Sequence, residues 1–272
     1  ATAIVALHDG AVRRSSHGEL GDTALRLAGG LAARGVERGE PVALLAPNGP
    51  EWIVARLALI AVSALAVPLD DLIADDEIRR ALVDSGAKRI FTTGPYVERI
   101  EALGLAEGLE IWRLDEDAAG IGTPWRDLLD DPLAPLIPAE PSDTVSLFYT
   151  SGTTGAPKGV PLTHHGHLWV VRKRIQAGVD YTRERLLVAA PLYHMNALAT
   201  AKFAQYVGAT MVLLPQFTAA SYINAIATHR CTWLTSVPTM LALVCQERQL
   251  LAATDLGSVT SATVWDKFLA YL

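Results

Sequence analysis

Helical and extended patterning alternate along this chain in two separate runs, and that alternation limits the folds open to it. Leu20, Ala24, Leu27, Ala28 and Leu31 fall on one face at helical spacing, with Gly35 as a stop and Gly39 as a turn signal. Residues 41–46 (PVALLA) then read as a short buried strand, and Pro47-Asn48-Gly49-Pro50 as a turn. A helix is expected over 51–62, a strand over 65–68, a helix capped by Asp75 that runs to Asp84, and a strand over 89–92. Residues 118–143 break the rhythm: Pro124, Pro132, Pro135, Pro138 and Pro141 stand among acidic residues and read as a crossing. The alternation resumes with strands over 145–149, 186–189, 210–214 and 232–234 and helices over 163–176, 197–206, 219–228 and 239–247. Such a pattern predicts an α/β fold with parallel-rich sheets flanked by helices. The expected layout is a first α/β subdomain over 1–117, the crossing, a second over 144–259, and a helical-looking tail over 260–272.

Composition narrows the class. Half of the residues are hydrophobic and 19% are charged, which provides ample core and too few charges for a disordered chain. The net charge of -6 gives no basic surface for nucleic acid. The longest apolar stretch, 52–69, carries Arg56 and ends near Pro68, so it reads as a buried helix and a strand and not as a membrane span. Residues 1–8 are apolar but too short for a secretory signal, and no basic segment precedes them. Cys231 and Cys245 both lie in apolar stretches and read as buried, reduced thiols of a cytoplasmic protein.

The segment Phe148-Tyr149-Thr150-Ser151-Gly152-Thr153-Thr154-Gly155-Ala156-Pro157-Lys158-Gly159 follows a strand and is expected to lead into a helix. Its glycines let backbone N–H groups approach a ligand, its hydroxyls donate to phosphate oxygens, and Lys158 adds a mobile positive charge. Together they describe a polyphosphate cradle. It is not a Walker loop, because Pro157 stands where the second glycine belongs and Lys158 is followed by Gly159. Nor is it a hydrolase nucleophile elbow around Ser151, since Tyr149 and Thr153 occupy the required glycine positions.

Residues 150–159 resemble the phosphate-loop signature of the adenylate-forming superfamily: acyl-CoA synthetases, peptide-synthetase adenylation domains and luciferases. Ala64-Leu65-Ala66-Val67-Pro68-Leu69-Asp70, Leu162-Thr163-His164, Pro191-Leu192-Tyr193-His194 and Ser236-Val237-Pro238-Thr239 are similar to further segments of that family. The resemblance covers roughly residues 18 to 259. It implies ATP-dependent activation of a carboxylic acid to acyl-AMP, then transfer to a thiol, commonly coenzyme A. In that setting Thr150, Ser151, Gly152, Thr153, Thr154, Gly155 and Lys158 would hold the ATP phosphates. Lys158 and His194 would serve catalysis, and His194 with Met195 would meet the acid. Imidazole suits such a place because it both donates and accepts near neutral pH.

The resemblance also implies magnesium, yet its usual glutamate, in a Tyr-Gly-x-Thr-Glu segment, is not found here. The later ribose-binding aspartate and the C-terminal domain with its second lysine are likewise not found, so the chain reads as the front portion of such an enzyme. A carboxylate–CoA ligase is the leading expectation. A peptide-synthetase adenylation domain, luciferase-type chemistry, and a nucleotide-binding fragment without turnover stay open. A homodimer is a further expectation. Met195, Ala197, Leu198 and Trp233 suit an acyl chain or an aromatic ring. His164, His165 and His167 do not share one helical face, so no metal site is assigned. Trp169, Trp233 and Tyr206 lie among apolar residues and read as core.

Overall fold

The computed structural model describes residues 1–8, 11–115, 120–130, 138–150 and 158–264. Along the chain these form β1 (Thr2–His8), β2 (Ala11–Ser16), α1 (His17–Ala33), β3 (Pro41–Leu45), α2 (Pro50–Ala61), β4 (Leu65–Pro68), α3 (Asp75–Ser85), β5 (Arg89–Thr92), α4 (Gly94–Ala102), β6 (Glu110–Arg113) and β7 (Thr123–Pro124). There follow β8 (Thr144–Thr150), β9 (Lys158–Thr163), α5 (His164–Arg174), β10 (Arg185–Val188), α6 (Met195–Val207), β11 (Thr210–Leu213), α7 (Ala219–His229), β12 (Trp233–Ser236), α8 (Pro238–Gln246), α9 (Arg248–Ala253) and β13 (Ser261–Val264).

Two compact units divide the chain: Leu20–Ala46 with Glu51–Trp169, and Ala1–Glu19 with Pro47–Pro50 and Val170–Leu272. The first is built on a seven-stranded sheet of order β7-β6-β5-β3-β4-β8-β9, parallel except for the β8–β9 pair. Its central strands read as unbroken apolar runs because both faces are covered; Val42, Ala43, Leu44 and Leu45 are all fully buried. On one face Ala43, Leu45, Val67, Ile90 and Ile111 pack with Ile78, Ala81 and Leu82 of α3 and Val97 and Ile100 of α4. Helix α1 ends as its sequence predicts: Gly35 adopts φ +74° and its N–H donates to the Ala32 carbonyl. The cap of α3 lies one residue earlier than expected. Ala74 is the extended N-cap and Asp75 the first helical residue, while Glu77 accepts from the Ala74 N–H at 3.3 Å. Asp75, Asp76 and Glu77 instead place negative charge over the positive end of the helix.

The second unit is built on a six-stranded sheet of order β13-β12-β10-β11-β1-β2. Strand β1 runs parallel to β11 with Ile4 opposite Met211, so the first residues of the chain pair with residues two hundred positions later. Leu187, Val212 and Val5 pack with Tyr222, Ile223 and Ile226 of α7 and Met240 and Val244 of α8. Strand β13 corrects the helical-looking reading at the start of the tail: Ser261–Val264 continue the parallel sheet beside β12, and residues 265–272 lie outside the described residues. The β-branched Thr263 and Val264 suit that strand.

Further expectations change on the basis of helix faces. Val171 and His167, four apart on α5, are buried, and Trp169 between them points the other way and is 53% exposed. Tyr206 is exposed at the end of α6. Trp233 is half-buried, packed on Tyr181 and Phe203. Cys231 is buried as expected, but Cys245 is exposed on α8, whose buried side carries Met240 and Val244.

The two thiols therefore differ in chemistry. Burial pushes the Cys231 thiol up to about 12 and the Tyr222 hydroxyl, bonded to Ser236 Oγ at 2.7 Å, also up to about 12. A thiol reagent near pH 8 should titrate one cysteine in the native protein and two in denaturant. Both groups bind their protons more tightly folded than unfolded. Their stabilisation is complete below their ordinary values of 9.0 and 10.0 and is lost as pH rises towards about 12. A denaturant midpoint that fell with rising alkalinity over that window would bear this out; a flat profile would contradict it.

Candidate active site

Strands β8 and β9 are antiparallel neighbours, and their final registered pair is Thr150 opposite Lys158. The seven intervening residues thus connect two paired strand ends. Ser151, Gly152, Thr153, Thr154 and Gly155 lie outside the described residues, as do Ala156 and Pro157. Between the loop and the expected helix stands an unexpected strand, β9, the edge strand of the seven-stranded sheet among the described residues. Lys158, Gly159, Val160 and Pro161 are exposed along it. Pro161 suits an edge because it has no N–H to donate to a further strand. Helix α5 begins at His164, where a helix is expected, capped by the Thr163 hydroxyl, which accepts from the Gly166 N–H at 3.1 Å.

The strand entering the loop is fixed from a distance. Tyr149, one residue before Thr150, donates its hydroxyl to Asp84 Oδ2 of α3 at 2.7 Å. Burial, then the bond to Asp84, pushes the Tyr149 hydroxyl well above the usual phenol range, so it remains a donor at neutral pH. At the other end of β8, Asp143 accepts from Arg38 at 2.7 Å, and this guanidinium holds its carboxyl below the usual carboxylate range. Neither partner is legible locally, because 65 and 105 residues separate the members of each pair.

His194 lies in the other unit, in the loop after β10. In parallel sheets the carboxyl ends of strands border ligand crevices. It is the extended N-cap of α6, with φ −92° and ψ 140°. Its N–H donates to the Pro191 carbonyl at 3.0 Å and its carbonyl accepts from the Leu198 N–H at 3.1 Å. The imidazole is exposed and lies 4.5 Å from the Tyr193 ring, centroid to centroid. Met195 follows as the first residue of α6, also exposed, whereas Ala197 and Leu198 are buried. The structure thus pairs Thr150 with Lys158, and His194 with Met195, each pair within its own unit.

Sequence reading missed Asn196 on the first turn of α6. Its Oδ1 and Nδ2 are both buried without a hydrogen-bond partner. No local pattern marks such an amide, since only its surroundings decide whether it is satisfied. Among the described residues no group of three or more His, Cys, Asp or Glu side chains is gathered to hold a metal ion. Among them, too, no helix is long and apolar enough to cross a membrane.

A model of the family described as AMP-binding enzyme matches residues 1–266. A feruloyl-CoA synthase of an Amycolatopsis species is 34% identical over 246 residues, covering 90% of this chain and 48% of that protein. A long-chain-fatty-acid–CoA ligase of Mycobacterium tuberculosis is 32% identical over 237 residues, covering 84% and 45%. The chain spans about half the length of the curated relatives it matches. Among solved structures, the inhibitor-bound N-terminal domain of FACL13 from Mycobacterium tuberculosis superposes with a TM-score of 0.84 at 28% identity, over 97% of this chain and 65% of that one. The fold expected from the alternating pattern, parallel-rich sheets flanked by helices, is the fold of these adenylate-forming relatives.

Proposed function

Because the chain belongs to the AMP-binding enzyme family, we propose that the protein activates a carboxylic acid with ATP and passes the acyl group to coenzyme A. A carboxylate oxygen attacks the α-phosphorus, the bond to pyrophosphate breaks, and acyl-AMP forms. The thiol sulfur of coenzyme A then attacks the acyl carbon, loses its proton, and AMP departs with the bonding electrons of the acyl–oxygen bond. The observation that carries this reading is the strand pairing that sets Thr150 opposite Lys158, with a hydroxyl- and glycine-rich heptapeptide between them. That arrangement suits a triphosphate: many N–H and O–H donors in one connection and an exposed cation at its end.

In this reading Thr150, Ser151, Gly152, Thr153, Thr154 and Gly155 bind the phosphates. Lys158 stabilises the charge that gathers on them as pyrophosphate leaves. His194 orients the carboxylate, and Met195 beside it contacts the acid. The resemblance implies magnesium with the triphosphate, and among the described residues no group of three or more His, Cys, Asp or Glu side chains is gathered to hold it. The relatives' names span aromatic and long-chain acids, and the exposed Met195 and apolar start of α6 suit either class. The reading further places the protein in the cytoplasm, where ATP and coenzyme A meet. It includes a homodimer, for which β9, the edge strand of its sheet among the described residues, offers a pairing face. Light scattering tests the dimer.

Acid-dependent exchange of pyrophosphate into ATP, measured across a panel of aromatic and aliphatic carboxylic acids, tests the central claim. Exchange that requires one acid class is expected. A folded, full-length protein that exchanges with none of them would refute the adenylation reading.

A further inference from the structure

The turn after β3 carries Asn48, which groups with the six-stranded unit and is 8% exposed. Its amide is saturated by three backbone partners from that unit. Nδ2 donates to the Ala190 carbonyl at 3.0 Å and to the Leu214 carbonyl at 3.1 Å, and Oδ1 accepts from the Leu192 N–H at 2.8 Å. The two carbonyls require the nitrogen end and the N–H requires the oxygen end, so the partners define the amide's orientation.

These partners share a location. Ala190 follows β10, Leu214 follows β11, and the strands' last paired residues are Val188 and Leu213. Beyond that pair the sheet ladder ends, and Asn48 bridges the two departing chains. Leu192 is wholly buried, so its N–H has no access to water in place of Asn48. The same short turn continues through the bond from the His194 N–H to the Pro191 carbonyl at 3.0 Å and the contact between the Tyr193 and His194 rings.

We propose that Asn48 is the positioning residue for His194: its amide holds residues 190–192 against the ends of β10 and β11 and thereby sets where the imidazole stands. This inference rests on the reading of His194 as a residue that meets the carboxylate. An alanine at position 48 would free the turn while leaving both strands paired. Asn48→Asp is nearly isosteric and keeps an acceptor for the Leu192 N–H, but its carboxylate would oppose two carbonyls.

The test takes the full-length protein with Asn48→Ala, Asn48→Asp, His194→Ala and the Asn48→Ala/His194→Ala pair. Nuclear magnetic resonance reports the hydrogen exchange of the Leu192 amide and the contacts between the Tyr193 and His194 rings. Asn48→Ala should remove the protection of Leu192 and scatter the His194 signals among several positions, whereas Asn48→Asp should retain more of both. Acid-dependent exchange should fall about 10²-fold in Asn48→Ala with the KM for ATP unchanged, and Asn48→Ala should add nothing once His194 is gone. Unaltered ring contacts in Asn48→Ala, or losses that multiply in the double variant, would overturn the proposal. Failure of both position-48 variants to fold would also overturn it, by making Asn48 a residue of the fold and not of the turn. Should His194→Ala leave exchange untouched, the reading of His194 fails instead, and the ring contacts still judge Asn48.

Discussion

Replacing Lys158 by alanine is expected to slow acid-dependent ATP–pyrophosphate exchange by about 10²- to 10³-fold, the usual cost of one well-placed transition-state donor. The fold should survive, because Lys158 is exposed at the start of an edge strand. Its backbone pairing with Thr150 does not depend on the side chain. Attack at the α-phosphorus moves charge onto the departing pyrophosphate, so the loss should be larger in the exchange rate than in binding of the carboxylic acid. Lysine to arginine should lose less than alanine, since the charge remains but the compact ammonium becomes a planar fork. Circular dichroism on the same sample separates a chemical effect from unfolding. An alanine variant that exchanges at the native rate would remove Lys158 from the site.

Gly30→Ala is expected to destabilise the first unit by about 3 kcal/mol, the upper end of overpacking costs. A Cβ built there would lie 2.0 Å from the Leu128 carbonyl oxygen and 2.9 Å from its carbonyl carbon. Those atoms are backbone of a 3-10 turn, Trp125–Leu129, anchored by buried Trp125 and Leu128, so no side-chain rotation relieves the clash. Gly21→Ala, in the same helix, meets nothing within 4 Å. There alanine's better helix propensity should stabilise by up to about 1 kcal/mol. The two variants carry the same chemical change in one helix with opposite expected signs. Denaturant unfolding measures both, and shifts in the same direction would show that the close approach of α1 and the turn does not decide the effect.

Residues 118–143 show the limit of pattern reading near that contact. Residues 118–119 and 131–137, with Pro132 and Pro135, lie outside the described residues, and in between Thr123–Pro124 pair with β6 while Trp125 and Leu128 are buried. A two-residue strand and a single 3-10 turn carry too few residues to display a period. Edge strands pose the same difficulty. The exposed face of β9 has no alternation, and its extended form follows from pairing with β8. Strands β1 and β2 were likewise unreadable as partners of β11, because the hydrogen bonds that make them a sheet come from residues far along the chain.

Local chemistry determined a good deal by itself. Helical spacing located α1, α2, α6 and α7; buried apolar runs located β3, β4, β5, β10 and β11; and Gly35 stopped α1 where its left-handed conformation allows it. The hydroxyl–glycine–lysine run and the Tyr193-His194 pair are patterns of residue type, which need no structure to be seen. Tertiary structure alone decided which strands are neighbours, that Cys245 and Trp169 face outward, that Tyr149 is tied to Asp84, and that Asn48 saturates three backbone groups around the turn before His194. The physical reason is the range of the interactions. Propensity, capping and backbone freedom act over a few residues and are written in order along the chain. Burial, pairing and hydrogen-bond satisfaction act through space and exist only once segments distant along the chain have met.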